Sequence, residues 1–340
     1  MTGSPAHMRA VQITELSGPA TALQLGDVPE PPREHPMTPG SGVIVDVRSA
    51  GVSFPELLQS RGEYQMKPDL PFVPGAEVGG IVREVHGKAD GEARLKPGDR
   101  VAAFCMLGAW AERAVAPTYF TFKIPEDWDF GQGAALILNY HTAYFALIAR
   151  GRLAEGETVV VHGAAGGVGT ATLQVAKAWG AHTIGVVSSD AKEEVARQAG
   201  ADEVVRADGP WRDEVKAMTD GGAHMVLDPV GGDRFTDSLR CLREGGRVVV
   251  VGFTGGSIPE VRVNRLLLNN TEVIGAGWGA SVLGWPERTE RIGRAIEGMI
   301  ESGQVRPIVG ARFPLERASD ALELLDGRGA TGKVVLDLES

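Results

Sequence analysis

The stretch Thr158–Gly169, TVVVHGAAGGVG, decides the fold. A β-branched apolar run ends at Gly163, three further glycines follow at Gly166, Gly167 and Gly169, and a helical pattern runs on from Thr170 to Trp179. Strand, glycine turn and helix in that order make the unit that holds a dinucleotide pyrophosphate. Gly163 permits the tight turn off the strand. Gly166 and Gly167 let backbone N–H groups, with those of Ala165 and Val168 beside them, approach the phosphates, and Gly169 lets the helix pack closely. The helix N-terminus supplies roughly half a positive charge and unpaired donors, so no charged side chain is needed.

Downstream residues refine the expected ligand. The next strand, His182–Ser188, would end in an acidic residue about 20 positions past the glycines if ribose hydroxyls were to be accepted there. Val187, Ser188 and Ser189 occupy that place instead. Asp190 comes late and reads as the N-cap of the following helix, with Glu193 as its capping-box partner. Lys192 lies in the first turn, where its ammonium can reach a 2′-phosphate through a charge-assisted bond of roughly 1.5–3 kcal/mol. The reading is NADPH, not NADH.

A chain of 340 residues is long enough for two domains, and 43% hydrophobic with 23% charged residues is ordinary for a globular protein. A formal net charge of −10 argues against nucleic acid or an anionic membrane as partner. Two cysteines, Cys105 and Cys241, make neither a disulfide framework nor a four-thiolate metal site. No apolar run approaches the roughly 18 residues of a membrane span. Residues 1–7 read as a disordered leader before a strand that starts at Met8, and the expected location is cytoplasmic.

Short strands with Pro/Gly punctuation fill the first third: MRAVQITEL, GVIVDVRSAGV, EVGGIVREVH, GDRVAAF and WAERAVAP, with one short helix near Pro55–Arg61. Strands and helices then alternate. Strands are expected at Thr158–Gly163, His182–Ser188, Asp202–Val205, Met225–Val230, Arg247–Phe253 and Thr271–Gly277, which makes a doubly wound parallel sheet. Amphipathic helices at Glu287–Ser302 and Arg317–Asp326 precede a last strand, Gly332–Leu338, which returns to the β domain.

These pieces together resemble the medium-chain dehydrogenase/reductase superfamily and, within it, the zinc-free NADPH:quinone oxidoreductases of the zeta-crystallin-like kind. The resemblance rests on SAGVSFPELLQSRGEYQ, LPFVPGAEVGGIV, KPGDRV, VHGAAGGVGTATLQVAKAWGA, DPVGG, GGRVVVVGF, NRLLLNN and the closing TGKVVL. It implies an α/β protein in which a Rossmann NADP-binding domain, residues 130–280, is inserted into a GroES-like catalytic domain, residues 1–129 and 281–340.

Zinc-dependent alcohol dehydrogenases of this superfamily carry metal ligands at positions that match Ser53, Ala76 and a site near Leu138 or Asn139 here. A hydroxyl, a methyl and an apolar or amide group do not bind zinc tightly, and Glu77 alone is insufficient. The expectation is no metal. Without a Lewis acid, hydride chemistry suits acceptors that are already electrophilic, such as quinones. An enone or enoyl-thioester reductase of the same fold is the alternative, and a non-catalytic NADPH-binding role, crystallin-like or vesicle-associated, is a third reading.

The resemblance also carries residue roles. Tyr64 matches a tyrosine lining the pocket, whose phenol can hydrogen-bond a developing oxyanion. A second tyrosine of some quinone reductases is Leu58 here. Ser53 matches a polar residue beside the nicotinamide, and Thr142 a threonine that contacts the cofactor. Val230, Gly252, Phe253 and Trp278 fall at or after strand ends where they would back the cofactor or the acceptor, and Lys333 matches a lysine near the cofactor. The sixth strand of the parallel sheet, TEVIGAG, would be an exposed edge, so a homodimer is expected.

Overall fold

The structure is a computed structural model that describes residues 6–87, 95–282 and 286–338. The leader expected at residues 1–7 lies mostly outside them; Ala6 and His7 are described, and His7 already belongs to the first strand.

The chain divides into two compact units, one of residues up to Leu138 together with those from Pro307 on, the other of Asn139–Arg306. The sequence reading put the boundaries at 129/130 and 280/281. The second unit as divided by contacts also takes in the helix Pro286–Glu301, whose Ile292 and Ile296 are buried.

The first unit begins with β1 (His7–Ile13) and β2 (Leu23–Pro29), an antiparallel pair. β3 (Gly42–Val52), β4 (Glu77–His86), β5 (Arg100–Phe104), β6 (Arg113–Ala116) and β7 (Thr121–Lys123) follow. Val43, Val45 and Val47 on β3 alternate into a core with Val78, Val101, Trp110 and Leu322. The short helix Phe54–Ser60 follows β3 directly, with Pro55 in its first turn.

The second unit holds β8 (Thr158–His162), β9 (His182–Val187), β10 (Glu203–Arg206), β11 (Ala223–Asp228), β12 (Leu242–Val250) and β13 (Glu272–Gly275). They form one parallel sheet in the order β10-β9-β8-β11-β12-β13. Val160, Ile184, Val226 and Val248 are fully buried, as expected of strands covered on both faces by crossover helices. The order reverses between β8 and β11, which is the switch point where such sheets open a crevice at their carboxyl ends.

The chain then returns to the first unit with β14 (Val309–Pro314) and β15 (Lys333–Asp337). β15 runs parallel to β14 and antiparallel to β3, so the sheet reads β14-β15-β3-β4-β5-β7. No helix among the described residues is long and apolar enough to cross a membrane.

Candidate functional site

The glycine turn of the second unit is built as its spacing requires. Gly163 leaves β8 with φ +58°, a left-handed conformation that favours glycine. A Cβ on Gly169 would stand 2.1 Å from the Gly163 carbonyl oxygen, and one on Gly167 2.7 Å from Asn139 Nδ2. The helix runs Gly167–Ala178 with Gly166 as N-cap, one turn earlier than the sequence suggested. Its first-turn N–H groups, on Gly167, Val168 and Gly169, have no carbonyl partner within the helix. Ala165 is buried against this turn, while Gly166 and Val168 stay partly open. A pyrophosphate fits this cradle, because donors are present and side chains that would obstruct it are absent.

At the end of β9, Ser188 is exposed and Ser189 caps the helix Asp190–Gln198 by accepting from the Lys192 N–H at 3.4 Å. This corrects the expectation that Asp190 is the N-cap. Asp190 is instead the first helical residue, and Glu193 pairs with Arg197 one turn along at 2.9 Å. Lys192 Nζ donates to Ser188 Oγ at 3.3 Å. No carboxylate terminates β9.

The remaining strand ends converge on the same side of the sheet. Asp228, buried at the end of β11, accepts N–H bonds from Val230 and Gly231 at 2.8 and 2.9 Å, which is what the DPVGG motif does locally. Val230 Cγ2 lies 3.4 Å from where a Cβ on Gly163 would stand, so it flanks the glycine turn. Gly252 and Phe253 follow β12, with Phe253 exposed. Trp278 begins a short helix after β13 and is buried, edge-on to His141 at 5.6 Å between ring centroids. Thr142 is buried in the helix Ile137–Tyr144.

The first unit carries a different cluster. Lys333, at the start of β15, is 3% exposed, and its Nζ donates to Glu77 Oε1 and to Ser53 Oγ. Glu77 is 1% exposed, and its Oε2 accepts the Leu138 N–H at 2.9 Å. Gly51 makes room for the pair: a Cβ there would come within 2.7 Å of Glu77 Cγ and 2.9 Å of Lys333 Cε. Glu56, the third residue of the helix Phe54–Ser60, accepts the Ser53 N–H at 2.8 Å. Burial pushes the Glu56 carboxyl up to about 7, with Lys333 opposing and Glu77 reinforcing the rise. Tyr64 is half-buried; burial and then the Glu56 charge push its phenol up, so it stays protonated.

Ser53 and Ala76 are therefore not vacant metal positions. An ammonium held by Glu77 sits on the Ser53 hydroxyl, and a zinc ion does not suit a donor set of one hydroxyl and one carboxylate already paired. Among the described residues no group of three or more His, Cys, Asp or Glu is arranged to hold a metal.

Sequence reasoning identified Ser53 and Lys333 separately but not their contact, and it missed Glu56. Both signals were present: Ser53-x-x-Glu56 is a capping-box spacing, and a carboxylate opening the apolar strand EVGGIV needs a partner once buried.

Comparison with known proteins agrees with this geometry. Residues 39–126 match the alcohol dehydrogenase GroES-like domain, and residues 167–294 match the zinc-binding dehydrogenase family. Quinone oxidoreductase-like protein 2 of Mus musculus is 38% identical over 99% of this chain and 94% of its own length. The chain belongs to the quinone oxidoreductase-like family of the medium-chain dehydrogenase/reductase superfamily. Among solved structures, a probable oxidoreductase from Mycobacterium abscessus aligns with TM-score 0.85 and 40% identity, covering 98% of this chain and all of the other. The quinone oxidoreductase from Thermus thermophilus, solved also in complex with NADPH, aligns with TM-score 0.80 and 32% identity, over 97% and 100% of the two chains. The zinc-binding dehydrogenase match lies wholly within residues 167–294 and does not include Ser53 or Ala76.

Proposed function

We propose that this chain is an NADPH-dependent, metal-independent reductase of quinones or comparably activated acceptors. The observation that carries the reading is the Lys333–Glu77 ion pair seated on Ser53, where metal-dependent relatives place a Lewis acid. NADPH fits the second unit through the N–H groups of Gly167, Val168 and Gly169 for the pyrophosphate and through Ser188, Ser189 and Lys192 for the 2′-phosphate. Val230, Gly252, Phe253, Trp278 and Thr142 border the space beyond the strand ends. The quinone oxidoreductase names of its relatives and the NADPH complex of the Thermus enzyme support both parts.

Reduced nicotinamide supplies the hydride when bound. The chain's own residues then have two tasks. They exclude water, and they stabilise the oxygen that gains charge. Tyr64, kept protonated by burial and by Glu56, can donate to such an oxygen. Ser53, fixed by Lys333 and by the Glu56 bond to its N–H, is a second, immobile donor. An unconjugated carbonyl lacks the electrophilicity this set demands, and an alcohol would have to be held as its alkoxide, which calls for a Lewis acid.

The chain's partner in this reading is a second copy of itself. β13 is an outer strand of the sheet, and Ile258, Val263, Leu267 and Leu268, in the segment that leads from β12 to β13, are 73–79% exposed. A two-fold pairing of this edge covers both the open backbone and the apolar side chains.

The deciding experiment follows NADPH oxidation by the purified chain against a quinone series, small enones, crotonyl-CoA and, in reverse, primary alcohols with NADP. Turnover with quinones and none with alcohols is expected. Turnover confined to enones or thioesters moves the reading to an enone reductase. NADPH binding without any turnover supports the non-catalytic reading, and alcohol oxidation dependent on stoichiometric zinc overturns the proposal.

A further inference from the structure

Arg206 ends β10 and lies in register beside Val187, the last residue of β9. Its Nη1 donates to Asp190 Oδ1, and its Nε stands 3.8 Å from Asp208 Oδ1. Lys192 holds the other side of the same short turn through Ser188. The Ser188–Ser189–Asp190 turn is thus flanked by an ammonium and a guanidinium, each drawn from a different element. Asp190 is the first carboxylate after the end of β9, where Val187 fills the position from which ribose hydroxyls would be accepted. Its side chain is fully exposed, yet it is already committed to Arg206, which is only 35% exposed and buries its Nε.

We infer that Arg206 sets cofactor choice. It withholds Asp190 from the ribose hydroxyls and presents a planar fork of donors to a 2′-phosphate, for which carboxylate and phosphate compete. Lys192 supplies the point charge of the same site and Arg206 the directional one. This rests on the NADPH reading above, and it goes further by naming a residue that removes affinity for NADH as well as adding affinity for NADPH.

Calorimetric titration of the full chain with adenosine 2′,5′-bisphosphate and with AMP isolates the phosphate in question without requiring turnover. The parent chain binds the bisphosphate more tightly. Arg206→Gln weakens bisphosphate binding by about tenfold or more, the loss expected for one charge-assisted pair, and tightens AMP binding several-fold, because Asp190 is released to the ribose hydroxyls. Asp190→Asn, which frees the guanidinium, tightens bisphosphate binding several-fold. Discrimination that survives Arg206→Gln overturns this inference alone, as does an Asp190→Asn chain that binds no more tightly than the parent. Equal binding of both ligands by the parent chain overturns the NADPH reading and this inference with it.

Discussion

Lys333 Nζ and Glu77 Oε1 form a buried ion pair between residues 256 positions apart in sequence, joining β15 to the start of β4. Ser53 Oγ and the Leu138 N–H complete the bonding of the two groups, so neither charge is left alone in the core.

Removing one member of such a pair strands the other. Lys333→Met is expected to destabilise the chain by roughly 3–5 kcal/mol, because Glu77 remains buried and uncompensated. Lys333→Met with Glu77→Gln restores most of that loss. Denaturant midpoints of the parent, the two single variants and the double variant test this, and a non-additive cycle is the expected result.

The glycine turn separates folding from binding. Gly169→Ala puts a Cβ into the Gly163 carbonyl and is expected to destabilise the chain by about 1–3 kcal/mol. At Gly166 the nearest atom to an added Cβ is that same carbonyl at 3.4 Å, an ordinary contact, so Gly166→Ala should fold with the parent's thermal midpoint. Its NADPH affinity, read by quenching of protein fluorescence, should nonetheless fall. Unchanged affinity would remove Gly166 from the cradle.

Stability depends on pH from two directions. The Glu56 carboxyl is raised from 4.5 to about 7, so between these values the folded chain holds a proton that the unfolded chain has released. Its contribution is full below about 4.5 and is lost as pH rises through about 7, on the order of 3 kcal/mol. Glu56→Gln abolishes this decline and raises the thermal midpoint at about pH 8 relative to the parent.

His141 and His162 act in the opposite sense. Burial lowers them from 6.5 to about 3 and about 4, so their contribution is present above 6.5 and is lost as pH falls toward those values. His162→Gln, which can keep the bond to Ser238 Oγ, should flatten the acid limb of a midpoint-versus-pH curve. An unchanged acid limb would show that His162 does not set it.

Leu267→Asp with Leu268→Asp places two charges on the exposed helix that leads into β13. Light scattering should report a dimer for the parent and a monomer for this variant, with an unchanged circular dichroism spectrum. A parent that is already monomeric defeats the dimer reading.

The parallel sheet was legible because its signals are local. Each strand is a continuous apolar run closed by a glycine or turn residue, and all six expected strands correspond to observed ones, with ends shifted by a few residues. The first unit was read less completely. β2, LQLGDVP, and β7, TFK, lack clean alternation, and β14, VGARFP, carries an arginine whose partners, Asp129 and Asp337, are distant in sequence. The Lys333–Glu77 contact was hidden for the same reason: no periodicity or spacing links residues so far apart. Asp190 was misassigned by one position because Ser189 and Asp190 are both strong capping residues, and only the backbone geometry decides between them.

The place of β15 between β14 and β3 has a consequence for synthesis. Strands β3 to β7 leave the ribosome first, whereas the segment that must slot in beside β3 emerges only after the whole nucleotide-binding unit. Until then the nascent chain carries a β3 flank unpaired at Ser49–Val52 and a Glu77 without its Lys333 partner. A premature stop codon ahead of β15 would leave every chain in that condition permanently.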